Sequence, residues 1–170
     1  MTTSPPDIPR PSQLWKQLTP ERRLQAADAF WQDENAALEQ AEVIATIAQR
    51  IKFRAKSVVT MPREKKARQL VALGTVSELV AARLLVAFHL AQQRPMMGAF
   101  LDALGIRHEE GLIAEEDMQP PAPEKLHAAA ATLVKAYPAP DVALYLSTLI
   151  WQDPDTWGAL ADAPEVRAVA

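Results

Sequence analysis

The apolar residues of this chain recur at spacings of three and four, which is the pattern of helices that bury one face. No stretch alternates between apolar and polar residues with the period of two that a half-buried strand requires. We therefore predict an all-α fold, a compact array of about eight helices with a further short helix over 109–116. The longer helices are expected near 20–31, 35–54, 62–73, 76–92, 95–104, 123–136, 139–152 and 154–162.

Local start and stop signals place several helix ends. Thr19-Pro20-Glu21 joins a hydroxyl cap, a proline at the first helical position and an acid in the first turn. Gly74 is expected to end one helix, and Thr75 to Glu78 has the spacing of a capping box for the next. Within the helix over 35–54, the three–four spacing predicts an inward face made of Leu38, Ala41, Ala45, Ala48 and Ile51.

The helix over 76–92 is apolar on nearly every side, since Leu79, Val80 and Leu85 fall on different faces. A helix without a wide polar face is normally surrounded by protein. We expect it to be the central element of the fold.

Positions 62–104 and 122–164 match at an offset of 60 residues without a gap, with nine identities in 43 positions. A diverged copy at 19–56 fits the same period. The pattern predicts two, or with 19–56 three, related three-helix units, as in helical-repeat proteins. Coincidence between similar amphipathic helices rich in Ala and Leu is the alternative.

Length and composition set broader limits. At 170 residues the chain is one domain or two small ones packed together; we expect a flexible Pro-rich tail over 1–11 and one helical domain over 12–170. Cysteine is absent, which excludes disulfides, thiolate metal sites and a cysteine nucleophile. The first residues do not resemble a secretory signal, and the longest apolar run is too short for a bilayer. We expect a cytoplasmic protein that does not enter the membrane.

Charge is unevenly distributed, although the net charge is only −3. Residues 50–68 hold eight bases against Glu64, and residues 102–124 hold seven acids against Arg107. The bases are candidate ligands for an acidic partner: Arg50, Lys52, Arg54, Lys56, Arg63, Lys65, Lys66 and Arg68. Five of these acids lie in a polar stretch of sequence, which predicts that they are exposed. They form a candidate docking surface for a basic partner: Glu109, Glu110, Glu115, Glu116 and Asp117.

Three functions fit these residues, and the first is favoured. The charge polarity indicates a non-enzymatic interaction or scaffold protein that binds another protein or self-associates head to tail. The same bases could instead contact the phosphates of a nucleic acid, although Phe53 is the only aromatic among them. An enzyme would need His108 or His127 gathered with two acids, and no catalytic motif, metal spacing or cofactor fingerprint is present. Met97 and Trp157, which match at the 60-residue offset, are candidates for a partner groove or for core filling.

Overall fold

The structure, a computed structural model, describes residues 8–167 and is helical throughout apart from one short hairpin. The all-α prediction is confirmed. Within residues 8–167 there are eleven α-helices, a 3-10 helix at Gly158–Asp162, and two strands, β1 at His108–Glu109 and β2 at Leu112–Ile113. The α-helices are α1 Pro11–Gln17, α2 Pro20–Gln32, α3 Ala37–Ile51, α4 Ala55–Val59, α5 Arg63–Ala72, α6 Glu78–Gln92, α7 Arg94–Ala103, α8 Pro123–Ala136, α9 Ala139–Gln152, α10 Pro154–Trp157 and α11 Pro164–Arg167.

The described chain divides into two compact units. Residues 11–92 form one, here called unit A; residues 8–10 and 93–167 form the other, unit B. The proline-rich connector over 120–123 lies inside unit B.

Unit A is built around α2 and α6, which pack along each other, with α1 and α3 on α6 and α5 on α2. Phe30, Leu70 and Leu84 are fully buried in its core. Burying each such side chain contributes about 1.5–3 kcal/mol. Most of α6 is buried among its three neighbouring helices, as its apolar sequence predicts, but Leu79 near its start is 72% exposed.

The helix starts of unit A follow the local signals in part. Thr19 caps α2 as predicted, because its hydroxyl accepts a hydrogen bond from the Arg22 amide at 3.2 Å. The predicted capping box from Thr75 is wrong: the cap of α6 is Ser77, whose hydroxyl accepts from the Val80 amide at 3.3 Å. The Glu78 carboxylate instead accepts hydrogen bonds from the backbone amide and the hydroxyl of Ser12. A bond between a side chain and the backbone within one turn can be predicted from sequence. The contact between Ser12 on α1 and Glu78 on α6 cannot, because it forms only when the two helices pack together.

The predicted inward face of α3 is correct at Ala48 and wrong at Leu38, Ala41 and Ala45. Leu38 is 85% exposed, and the buried residues of α3 are Val43, Ile47 and Ala48. Both sets of residues follow a helical spacing, so the pattern alone allowed two faces.

Unit B packs α7, α8, α9, the 3-10 helix and α11 around one core. Phe100 lies at its centre, with its ring centroid 5.8 Å from those of Tyr145 and Trp157. Residues 8–10 join this unit: Ile8 is buried in the core, and the Trp151 indole N–H donates to the Pro9 carbonyl at 2.7 Å. The rest of the predicted tail, residues 1–7, lies outside the described residues.

The 60-residue repeat is not confirmed. Helix starts do follow the period in places, since α5 and α8 begin at 63 and 123, and α7 and α10 begin at 94 and 154. The packing does not follow it: α8, α9 and the 3-10 helix contact one another within unit B, whereas the segment over 62–104 is divided between units A and B. The recurrence is therefore seen in some helix boundaries, and a repeated tertiary unit is not confirmed.

The short helix predicted over 109–116 is a β-hairpin instead. Glu109 pairs with Leu112 and His108 with Ile113, which leaves Glu110 and Gly111 as a two-residue turn. Both turn residues have positive φ, 50° at Glu110 and 89° at Gly111, as a type I′ turn requires. The twist of such a turn matches that of its strands, so the hairpin forms although each strand has only two residues.

Candidate functional site

The first half of the basic segment forms an exposed surface at the end of α3 and along α4. Helix α3 ends at Lys52, which has a left-handed φ of 59°, and the Phe53 amide donates back to the Ala48 carbonyl at 2.9 Å. The chain then enters the single turn of α4. Among residues 52–60 only Val58 is buried, so this one side chain anchors the segment to unit A.

This surface, here called the cationic surface, combines unpaired bases with exposed apolar side chains. Phe53 is 53% exposed and Val59 is 51% exposed. Four bases of the same segment have no carboxylate partner in residues 8–167: Arg50, Lys52, Arg54 and Lys56. Residues 50–60 contain no acid, so this segment carries a charge of +4. The segment therefore offers both apolar area and positive charge to a partner.

The second half of the basic segment is largely engaged within unit A. Arg63 binds Asp28 on α2 at 2.8 Å, and the Gln32 amide holds the other oxygen of Asp28 at 3.0 Å. The Lys66 ammonium lies 4.8 Å from the centre of the Trp31 ring.

The remaining two bases of α5 differ from each other. Arg68 binds Glu64 one turn earlier at 3.3 Å, whereas Lys65 is exposed without an ion pair among the described residues. The structure therefore does not present the eight predicted bases as one patch. Three of them (Arg63, Lys66 and Arg68) are bound to α2 or to their own helix.

A groove that sequence reasoning missed runs between α2, α5 and the end of α6 in unit A. Its volume is about 490 Å³. Its floor carries small side chains, its edge carries Asp28, Glu64 and Arg68, and its full lining is Leu24, Gln25, Asp28, Ala29, Gln32, Glu64, Ala67, Arg68, Ala91 and Gln92. The one sequence signal was the helical spacing of Leu24, Asp28 and Gln32 on one face of α2. Glu64 and Arg68 pair with each other and Asp28 pairs with Arg63, so the groove has little charge to offer a ligand.

The predicted acidic docking residues lie on and after the hairpin of unit B. Glu109, Glu110, Glu116 and Asp117 are exposed, whereas the Glu115 carboxylate accepts from the Arg107 amide at 2.8 Å. Leu112 is 48% exposed and Ile113 is 41% exposed. The exposed residues of this segment combine charge with apolar area and are here called the acidic surface: Glu109, Glu110, Leu112, Ile113, Glu116 and Asp117. Leu112 and Ile113 are consecutive on β2 and therefore lie on opposite faces of the hairpin.

His108 bonds through both ring nitrogens, one to the turn of the hairpin and the other to α7. Its Nδ1 accepts from the Gly111 amide at 3.1 Å, so the ring proton is on Nε2, which donates to the Asp102 carboxylate at 2.7 Å. Arg94 adds a hydrogen bond to the Glu110 carbonyl at 3.2 Å. With both nitrogens occupied, His108 has no lone pair available for a substrate proton or a metal ion. The role of His108 is therefore to hold the turn in position.

The other candidates for chemistry are bound within the protein. His127 donates from Nε2 to the Ala159 carbonyl at 3.0 Å, and His89 is buried beside the Phe88 ring. Residues 8–167 contain no group of three or more His, Asp or Glu side chains arranged to hold a metal ion.

The groove considered at Met97 and Trp157 is core packing in the structure. Trp157 is only 3% exposed, and Met97 packs against the same core. Burial also raises the pKa of Tyr145, in the same core, well above its ordinary value, because a phenolate would lose its hydration there. These aromatic side chains therefore stabilise unit B.

Comparison with protein-family models, curated proteins and solved structures gives no match to this chain. None of the helices in residues 8–167 combines the length and the apolar character needed to cross a bilayer.

Proposed function

We propose that this protein is a non-enzymatic interaction module whose cationic surface binds an acidic, partly apolar segment of a protein partner. The observation that carries the proposal is the exposure of Phe53 and Val59 among four unpaired bases. Protein interfaces combine an apolar centre, often aromatic and rich in arginine, with a polar rim. The cationic surface has that composition on a small scale.

The apolar residues favour a protein over a nucleic acid. A phosphate backbone is bound mainly through charge, so the affinity depends strongly on the number of bases that neutralise phosphates. Three of the eight predicted bases are engaged inside unit A, so at most five remain for that task. Phe53 and Val59 gain nothing from phosphates, whereas an apolar partner side chain would remove their exposed area from water.

The expected affinity is modest. Burying the exposed half of Phe53 and of Val59 contributes about 1 kcal/mol each. Exposed charge pairs add about 0.2–1 kcal/mol each and are screened by salt. These terms add to about 3–6 kcal/mol, which corresponds to a dissociation constant between about 0.05 and 5 mM for a short peptide.

The test is the binding of defined probes measured by fluorescence anisotropy at low and moderate salt. A labelled peptide of glutamate and leucine should bind more tightly than a matched peptide of glutamate and serine. The double variant Phe53→Ser/Val59→Ser should remove this difference, whereas the matched exposed-lysine variant Lys125→Glu/Lys135→Glu on α8 should retain it.

Two results would overturn the proposal. If neither peptide binds at low salt, the cationic surface is only a solvated face. If a random-sequence DNA duplex or RNA binds more tightly than both peptides, and Phe53→Ser/Val59→Ser leaves that binding unchanged, the bases serve a nucleic acid.

A further inference from the structure

The acidic surface of unit B matches the cationic surface of unit A in charge and in apolar content. Residues 107–117 hold five acids against Arg107, a net charge of −4, and residues 50–60 hold four bases and no acid, a net charge of +4. Each surface also exposes two large apolar side chains, Leu112 and Ile113 on one and Phe53 and Val59 on the other. The chain therefore carries both an acidic apolar ligand of the kind proposed above and the surface that would bind it.

We infer that the occupant of the cationic surface is the acidic surface of a second copy of this chain. This inference rests on the proposed function and adds the identity of the partner. Because the two surfaces are different, such a contact is heterologous, and each added protomer leaves one surface of each kind unoccupied. The expected product is a head-to-tail oligomer, either an open chain or a closed ring.

The acidic surface is held in a fixed shape before binding. His108 bonds to Gly111 and to Asp102, and Arg94 bonds to the Glu110 carbonyl. The Arg107 side chain donates to the Ala114 carbonyl at 2.9 Å. A turn that is already ordered loses less conformational entropy on docking than a flexible segment does.

The contact is small, so the association should be weak and sensitive to salt. Interfaces below about 1,200 Å² belong to transient complexes. Opposite charges accelerate encounter, and the Debye length falls from about 10 Å at 0.1 M salt to about 3 Å at 1 M. We expect the weight-average mass to rise with protein concentration at low salt and to return to that of a monomer near 1 M salt.

The decisive experiment uses two variants that each block one surface. Arg54→Glu/Lys56→Glu reverses charge on the cationic surface, and Glu109→Lys/Glu116→Lys does so on the acidic surface. None of these four side chains makes an ion pair within the described chain, so the substitutions leave the fold intact.

Each blocked variant alone should be monomeric by sedimentation velocity at concentrations where the parent protein associates. Mixed in equal amounts they should form a 1:1 dimer and nothing larger, because each contributes one intact surface. A single chain carrying all four substitutions should also stay monomeric, because each of the two segments then has a net charge of zero. Lys125→Glu/Lys135→Glu, which reverses two bases elsewhere, should associate as the parent does.

The inference fails if the parent protein stays monomeric up to about 1 mM, the weak end of specific association. It also fails if the mixed blocked variants remain monomeric, or if either blocked variant self-associates like the parent. These failures are distinguishable from failure of the proposed function. If self-association fails while the proposed function holds, the glutamate–leucine peptide still binds the cationic surface in the anisotropy assay, and the partner is a different protein.

Discussion

Replacing Gly111 by alanine should disrupt the acidic hairpin, for two separate structural reasons. Gly111 has a φ of +89°, which a side chain disfavours. A Cβ at this position would lie 2.7 Å from the Met97 Cβ and 3.3 Å from the Arg94 carbonyl oxygen. The first reason is local to the turn, and the second opposes the packing of the hairpin against α7.

The two costs can be separated with matched substitutions. Gly105 has a φ of +70°, but a Cβ there would meet nothing within 4 Å; Gly158 has neither constraint. The positive φ costs about 1–2 kcal/mol, and forced overpacking costs about 1–3 kcal/mol more. We therefore expect the free energy of unfolding to fall by about 2–5 kcal/mol for Gly111→Ala and by about 1–2 kcal/mol for Gly105→Ala. For Gly158→Ala it should stay unchanged or rise by up to about 1 kcal/mol.

The assay is urea unfolding followed by circular dichroism, together with hydrogen exchange of the backbone amide at position 111. That amide donates to His108 Nδ1, so opening of the hairpin appears as faster exchange even where the remainder of unit B stays folded. If Gly111→Ala costs no more than Gly105→Ala and the amide at position 111 keeps its protection, the hairpin does not pack on α7 as described.

Three further predictions concern stability. Because burial raises the pKa of Tyr145, the phenol loses its proton at a lower pH in the unfolded chain than in the folded one. The free energy of unfolding should therefore fall by about 1.4 kcal/mol per pH unit above about pH 10. Urea titrations from pH 9 to 11 should show that Tyr145→Phe lacks this fall. Trp151→Phe removes the 2.7 Å hydrogen bond to the Pro9 carbonyl and should cost about 1 kcal/mol in thermal melts; an unchanged melting temperature would contradict the docking of residues 8–10 on unit B. Thr19→Ala should cost about 1 kcal/mol of unfolding free energy by removing the cap on Arg22, whereas Thr19→Ser should retain most of it.

The parts of the fold that sequence predicted well are those that short-range chemistry decides. Thr19, Pro20 and Glu21 start α2 because a cap, a fixed φ and a first-turn acid act within a few residues. The face of α3 was missed because Leu38 fits a helical spacing as well as Val43 does. Choosing between them depends on which helices pack against α3, and that information lies elsewhere in the chain.

The hairpin was missed because two-residue strands are too short to show an alternating pattern. Glu110-Gly111 was the available signal, since glycine after an acid suits a two-residue turn with positive φ. Bonds from His108 and Arg94 then stabilise a turn that its own strands could not hold.

The candidate site was predictable in composition and not in arrangement. The exposed bases around Phe53 follow directly from a segment without acids. That Arg63 is bound to Asp28 could not be predicted, because these residues are 35 positions apart and meet only when α5 packs on α2. The Arg68–Glu64 pair, at a spacing of four on one helix, was within reach of sequence reasoning.

The most direct test of the central claim is a titration of the isotopically labelled protein with the glutamate–leucine peptide, followed by backbone amide shifts in NMR spectra. The account predicts that the largest shifts fall within residues 50–60, around Phe53 and Val59, and that they diminish with added salt. Shifts concentrated on the groove lined by Leu24, Gln32 and Ala67, or no shifts at all, would contradict it.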